Sequence, residues 1–238
     1  MKIGLFDSGI GGLNVLKEFI NKYPNNHYIY YGDTLNVPYG EKDKETLFKL
    51  SSKIVKFFVE KDVDLIIIAC GTVSSTCLNE LRSITRIPIF DIVSPTINYL
   101  RNLNLSKILV FGTKRTIDSH IFSNNLEGVI EVKTPEFVPM LENNKIDTDI
   151  IKNYIMKNKE VDALVLGCTH YPLLILEFKK YLNDNTKIID MGKVIVSSID
   201  LKNDAVYKLD MYFTKIDDNL KMNIDKIIKG DYNLELVG

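Results

Sequence analysis

Three cysteines and three histidines are all that 238 residues offer to a soft metal. No two of the cysteines form a CxxC pair, so a zinc centre has no support and no metal site is expected. Nor is a secretion signal expected, because Asp7 interrupts the apolar start too early for one. An odd number of cysteines in such a chain implies free thiols in a reducing cytoplasm. No apolar run approaches the roughly 20 residues that cross a bilayer, which excludes a membrane-spanning helix. Charge of one sign is missing too: 30 Lys and Arg oppose 31 Asp and Glu, a net charge of -1. That balance points away from nucleic acid and from anionic membrane surfaces as partners. What is present is an ordinary globular composition, long enough for one large domain or two small ones.

Two stretches stand out. The first is Val63-Asp64-Leu65-Ile66-Ile67-Ile68-Ala69-Cys70-Gly71-Thr72, and the second Val161-Asp162-Ala163-Leu164-Val165-Leu166-Gly167-Cys168-Thr169-His170. Each is an acidic residue, a short apolar run, a small residue and a cysteine. Such a run fits a strand buried on both faces, as in a parallel sheet. Each cysteine then sits at a strand's carboxyl end, where open α/β sheets place their ligands. Two further matches keep the same order: residues 107–113 echo 2–8, and Val138-Pro139 echoes Val37-Pro38. One spacing of roughly 100 residues suits a duplicated domain better than a solenoid repeat.

Between these landmarks, strands (2–6, 27–31, 88–91, 187–189, 206–213) alternate with helices (43–60, 70–81, 172–181, 191–199, 220–228). Ser94 and Pro95 have the form of a helix N-cap and first helical position. The expected fold is α/β: two similar parallel-sheet domains related by a pseudo-twofold duplication, with the active site in the crevice between them. The expected boundaries are 1–93 plus 200–238 for the first domain and 94–199 for the second.

Free cysteine is among the most often buried residue types, and packing alone would explain one such residue. Two at equivalent strand ends, each before a small polar residue and a new helix, argue for chemistry. A helix N-terminus would favour the thiolate. Cys77 reads as core. His170 could tune Cys168 or bind substrate, and Asp7 could relay a proton to a nearby thiol from the same crevice as Ser8. Glu142, in an apolar loop, becomes the counterpart of Asp7. Thr113 and Thr116 open a helix whose hydroxyls could hold a carboxylate. The glycines at 9, 11 and 12 match neither GxGxxG nor GxxxxGK[ST], so they carry little support for a nucleotide. His27 and His120 read as surface or structural.

Phe6-Asp7-Ser8-Gly9-Ile10-Gly11-Gly12, Asp33-Thr34, Val37-Pro38-Tyr39-Gly40, Ala69-Cys70-Gly71-Thr72, Gly112-Thr113 and Gly167-Cys168-Thr169-His170-Tyr171-Pro172-Leu173 together resemble the cofactor-independent aspartate/glutamate racemase superfamily, and within it glutamate racemase. The resemblance covers nearly the whole chain. It implies interconversion of L- and D-glutamate by two cysteines, without a cofactor, supplying D-glutamate for peptidoglycan. It implies Cys70 for the D-enantiomer and Cys168 for the L-enantiomer, with Asp7, His170 and Glu142 beside them. Ser8, Tyr39, Gly40, Thr72, Thr169 and His170 match substrate-binding positions, and Thr113 and Thr116 flank the site. A homodimer is the assembly the family suggests. Gly71 departs from the family's asparagine and would leave an unfilled donor–acceptor slot, and Phe122 stands where tyrosine is common. Other readings stay open: a racemase of aspartate or another amino acid, a thiol hydrolase using one cysteine and His170, or a non-catalytic ligand-binding descendant.

Overall fold

The computed structural model describes residues 1–203 and 206–238, so the expected return segment 200–238 includes two positions outside the described residues. The chain begins β1 (Lys2–Asp7), α1 (Gly12–Lys22), β2 (His27–Gly32), α2 (Lys44–Glu60), β3 (Leu65–Ile68), α3 (Gly71–Thr76), α4 (Leu78–Ser83) and β4 (Ile89–Asp91). A second run follows: α5 (Val93–Arg101), β5 (Ile108–Gly112), α6 (Lys114–Asp118), β6 (Val129–Lys133), α7 (Phe137–Glu142) and α8 (Thr148–Met156). It continues through β7 (Ala163–Leu166), α9 (Ile175–Lys179), β8 (Lys187–Asp190) and α10 (Met191–Ser198). The last elements are β9 (Lys208–Phe213), α11 (Asp218–Ile227) and β10 (Asn233–Leu236).

Two sheets result, ordered β10-β9-β2-β1-β3-β4 and β6-β5-β7-β8, with parallel pairing throughout. The order β2-β1-β3-β4 recurs as β6-β5-β7-β8, so the duplication read in the sequence is a duplication of topology. Its details recur as well. The Asp64 carboxylate accepts from the Lys2 N–H at 2.7 Å, and the Asp162 carboxylate from the Lys107 N–H at 2.9 Å. The Ala69 N–H donates to the Phe6 carbonyl at 2.9 Å, and the Gly167 N–H to the Phe111 carbonyl at 2.8 Å. Both cysteines therefore leave their sheets at matching registers.

The apolar runs of β1, β3, β5 and β7 are buried on both faces because helices cover both sides of each sheet. One core packs under α2, α3 and α4, and another under α7, α8 and α9. Between the sheets lies a third, which joins Leu5 and Ile67 to Val110 and Val165 through α1, α5, α10 and α11. Phe122 is fully buried there, away from the crevice.

Four local expectations need correction. The helix after Cys70 is two short helices, interrupted at Cys77. Ser94 is not the cap of α5: the Asp91 carboxylate at the end of β4 accepts from the Val93 and Ser94 N–H groups at 2.9 and 2.8 Å, starting the helix earlier. Residues 172–181 form a 3₁₀ turn, Tyr171–Leu174, and then α9. The strand at 208–213 is not the last, for β10 adds to its outer edge. Among the described residues, no helix is long and apolar enough to cross a membrane, and no cluster of acidic, histidine or cysteine side chains is fit for a metal.

Candidate active site

Cys70 and Cys168 line one partly open cavity of ≈ 90 Å³ between the carboxyl ends of the two sheets. Ser8, Tyr39, Gly40, Gly71 and Thr72 share its walls with Thr113, Glu142, Thr169 and His170. A larger hollow of ≈ 920 Å³ lies elsewhere, along α5, α9, β8 and α10, but it carries neither thiol nor imidazole. The small cavity is where the reactive groups converge.

Both thiols are free and nearly buried, Cys70 at 4% exposure and Cys168 at 7%. The surroundings of the two sulfurs differ. His170 Nδ1 lies 3.6 Å from Cys168 Sγ, and its Nε2 lies 3.5 Å from a Glu142 carboxylate oxygen. The second contact is within ion-pair range but lacks hydrogen-bond geometry, so Nε2 is a buried nitrogen without a hydrogen-bond partner. Burial alone would push the imidazole pKa down, yet the contacts with Cys168 and Glu142 hold it well above the usual value. These contacts favour the protonated ring beside the Cys168 sulfur.

Cys70 has no such partner. Its thiol donates to Ser8 Oγ at 3.8 Å. Burial, and then the Asp7 carboxylate, push its pKa far up, while the Val73 N–H and Ser8 offset only part of this. The expectation that a helix N-terminus would favour both thiolates is corrected here. α3 is too short to outweigh desolvation of Cys70, and Cys168 is followed by a turn and a 3₁₀ segment rather than an α-helix.

Asp7 ends β1 and is fully buried, but its carboxylate does not project into the cavity as expected. It turns into the following loop and accepts from the Gly12 N–H at 2.9 Å and the Gly9 N–H at 3.2 Å. The Thr169 hydroxyl reaches it at 3.4 Å from the other half. Glu142, expected in a loop, is the last residue of α7. Val138-Pro139 occupies the position equivalent to Val37-Pro38 but in helical rather than extended conformation. Thr113 caps α6, and its hydroxyl is engaged with Thr116 and, across the crevice, with Thr72, both at 3.0 Å. Thr116 is fully buried behind it and does not reach the cavity. Cys77 lies in the outer core of the first sheet. His27 pairs with Asp210 at 2.6 Å and His120 with Glu131 at 3.1 Å, both remote from the cavity.

The sequence reading gave no role to several residues now found at or behind the walls. Asp33 is buried and accepts from the Tyr39 hydroxyl at 2.6 Å, the Thr214 hydroxyl at 2.8 Å and the Asn36 amide at 2.8 Å. Thr134 stands at the equivalent place in the second half, bonded to the Tyr171 hydroxyl at 2.6 Å. That equivalence was available in the duplication, since Asp33 and Thr134 keep the spacing of the two Val-Pro pairs. At the mouth, Lys114 faces Glu41 at 3.9 Å and Arg115 Nε donates to the Lys42 carbonyl at 2.9 Å, tying the halves together.

With this geometry in view, the chain was compared with known proteins. Residues 15–199 match the family model described as Asp/Glu/Hydantoin racemase. Glutamate racemase from Aquifex pyrophilus is 36% identical, covering 99% of this chain and 97% of that one. Glutamate racemase from Campylobacter jejuni is 40% identical over 93% of this chain and 95% of its own. The crystal structure of Francisella tularensis glutamate racemase in complex with D-glutamate superposes with a TM-score of 0.87 at 29% identity, covering 100% and 97% of the two chains. On the extent of these matches, and on a fold that agrees with theirs, the chain belongs to the Asp/Glu/hydantoin racemase family of enzymes.

Proposed function

We propose that this protein interconverts L- and D-glutamate without a cofactor, with Cys70 and Cys168 as the two acid–base groups. The observation that carries the reading is the pair of thiols on equivalent strand ends, one from each sheet, lining a single cavity. Racemisation needs the same chemistry on opposite faces of one carbon, and a duplicated fold supplies it. The Francisella relative was crystallised with D-glutamate, which supports the substrate.

In the L-to-D direction, the Cys168 thiolate takes the α-proton and becomes a thiol. The electron pair left on Cα is conjugated with the carboxylate, and the Cys70 thiol returns a proton from the other face. The D-to-L reaction reverses the roles. Each turnover leaves the two sulfurs with exchanged protonation states, so no net proton is consumed. The first direction suits the surroundings of the two sulfurs: burial and Asp7 favour the proton on Cys70, and the His170 ring lies 3.6 Å from the Cys168 sulfur. Hydroxyls of Ser8, Thr72 and Thr169 stand in the cavity walls, where they can donate to substrate carboxylates. Asp7 acts from behind, holding the loop that follows β1 and reaching the cavity wall through Thr169. Glu142 sustains the charge on His170. In the cell this activity would supply D-glutamate for peptidoglycan from the cytoplasm.

The test is incubation in D2O with each enantiomer of glutamate, then of aspartate, following optical rotation and α-deuteration. Inversion of both glutamate enantiomers with deuterium in the product is expected. Turnover of aspartate but not glutamate would move the reading to another substrate. A covalent adduct on one cysteine would indicate a thiol hydrolase, and absence of all turnover a binding protein.

A further inference from the structure

Gly71 opens α3 directly after Cys70, and it lies against the other half of the molecule. A β-carbon in its place would stand 2.7 Å from the Gly167 carbonyl oxygen and 3.4 Å from Cε of Met191. Carbon–oxygen contacts settle near 3.3–3.6 Å, so the two segments would have to part by roughly 0.6 Å. The obstacle is backbone, which no rotamer change can move aside. Nor can it retreat: the Gly167 N–H is bonded to the Phe111 carbonyl at 2.8 Å. A β-carbon on Gly167 would itself lie 2.5 Å from that same carbonyl. Gly167 is the residue before Cys168, just as Gly71 is the residue after Cys70. The two reactive cysteines are thus carried by segments in main-chain contact across the crevice.

We infer that Gly71 is a positioning residue, which sets the separation of the two thiols by letting the Cys70 segment close onto the Gly167 carbonyl. The slot that the sequence suggested would stand empty without the family's asparagine is occupied by that carbonyl. The same closeness recurs at the mouth, where a β-carbon on Gly40 would lie 2.6 Å from Cβ of Thr113. Any side chain at position 71 wedges the halves apart. Restoring the asparagine therefore harms this enzyme, although it is the common residue in its family.

The inference rests on the two-thiol reading, and the experiment separates the two. Wild type, Gly71→Ala and Gly71→Asn are assayed with both glutamate enantiomers, α-protonated and α-deuterated, and crystallised. Displacements of this order cost about 10- to 100-fold in rate, so kcat is expected to fall by that factor in both variants. KM should change less than kcat, and the deuterium isotope effect on kcat should hold or rise. The Sγ–Sγ distance should lengthen. KM and the isotope effect are read only from folded molecules, so poor folding of a variant does not mimic the result. A Gly71→Asn enzyme as fast as wild type, or an unchanged sulfur separation in either variant, overturns the inference. If wild type itself fails to racemise glutamate, it is the proposed function that fails.

Discussion

Cys70 and Cys168 leave equivalent strands through equivalent main-chain hydrogen bonds and then meet different chemistry. Beyond Cys168 a turn brings His170 back onto the sulfur, with Glu142 behind it. Beyond Cys70 a short helix leads away, and the side-chain hydrogen bond of the sulfur is to the neutral hydroxyl of Ser8. Duplication copies strand order and register, because sheet register allows no intermediate positions. It does not copy electrostatics, which depend on single side chains and on how deeply each is covered. The molecule places its two sulfurs symmetrically and surrounds them asymmetrically.

The strongest way to break this comparison is to remove one thiol at a time. Cys70→Ser and Cys168→Ser should each lose racemisation by about 10²- to 10⁴-fold, the usual worth of a general acid–base group. Loss in only one variant, measured by optical rotation, would end the claim of equivalence. A smaller effect separates the partners. His170→Gln should cost more than Ser8→Ala, by about tenfold in kcat/KM, because only His170 brings charge to its thiol.

The asymmetry itself can be read by alkylation with iodoacetamide, followed by mass spectrometry across pH. The thiolate is the reacting form. Burial and the Asp7 carboxylate push the Cys70 pKa up, whereas His170 stands 3.6 Å from the Cys168 sulfur, so at neutral pH Cys168 should be alkylated first. The labelling ratio should narrow as pH rises and Cys70 begins to ionise. Equal labelling at pH 7 would remove the distinction.

The smallest effect concerns the strands that only one half possesses. Burial would raise the Asp210 carboxyl, but hydrogen bonds from Lys208, Asn233 and His27 outweigh it and hold its pKa at about 2. A depressed folded-state pKa stabilises above the unfolded value of 3.8 and loses that contribution as pH falls toward 2. Asp210→Asn should therefore lower the thermal midpoint at neutral pH by a few degrees, and by less near pH 2. Equal losses at both pH values would mean that the carboxylate charge at Asp210 is not what joins β9 to β2 and β10.

What could be read in advance follows the same division. The four central strands of the sheets were legible because their apolar runs have few alternatives, and the duplication singled out the two thiols. β10 was not legible: Asn233-Leu234-Glu235-Leu236 is short, mostly exposed and at an edge, so burial leaves little mark on its sequence. The start of α5 was misread because Asp91 reaches further than a local cap pattern suggests. The elevated pKa of Cys70 depends on burial by segments far away in sequence. Gly71 shows the limit most directly, since a missing side chain reads as a vacancy along the chain but is a contact in space.

The apolar layer between the sheets has a consequence for how the molecule comes apart. Leu5 and Ile67 of one sheet share a continuous core with Val110 and Val165 of the other, through helices that belong to neither sheet alone. Neither half can shed its inner face without exposing that of its neighbour. Despite its repeated topology, the protein should melt in one calorimetric transition whose van't Hoff and calorimetric enthalpies agree.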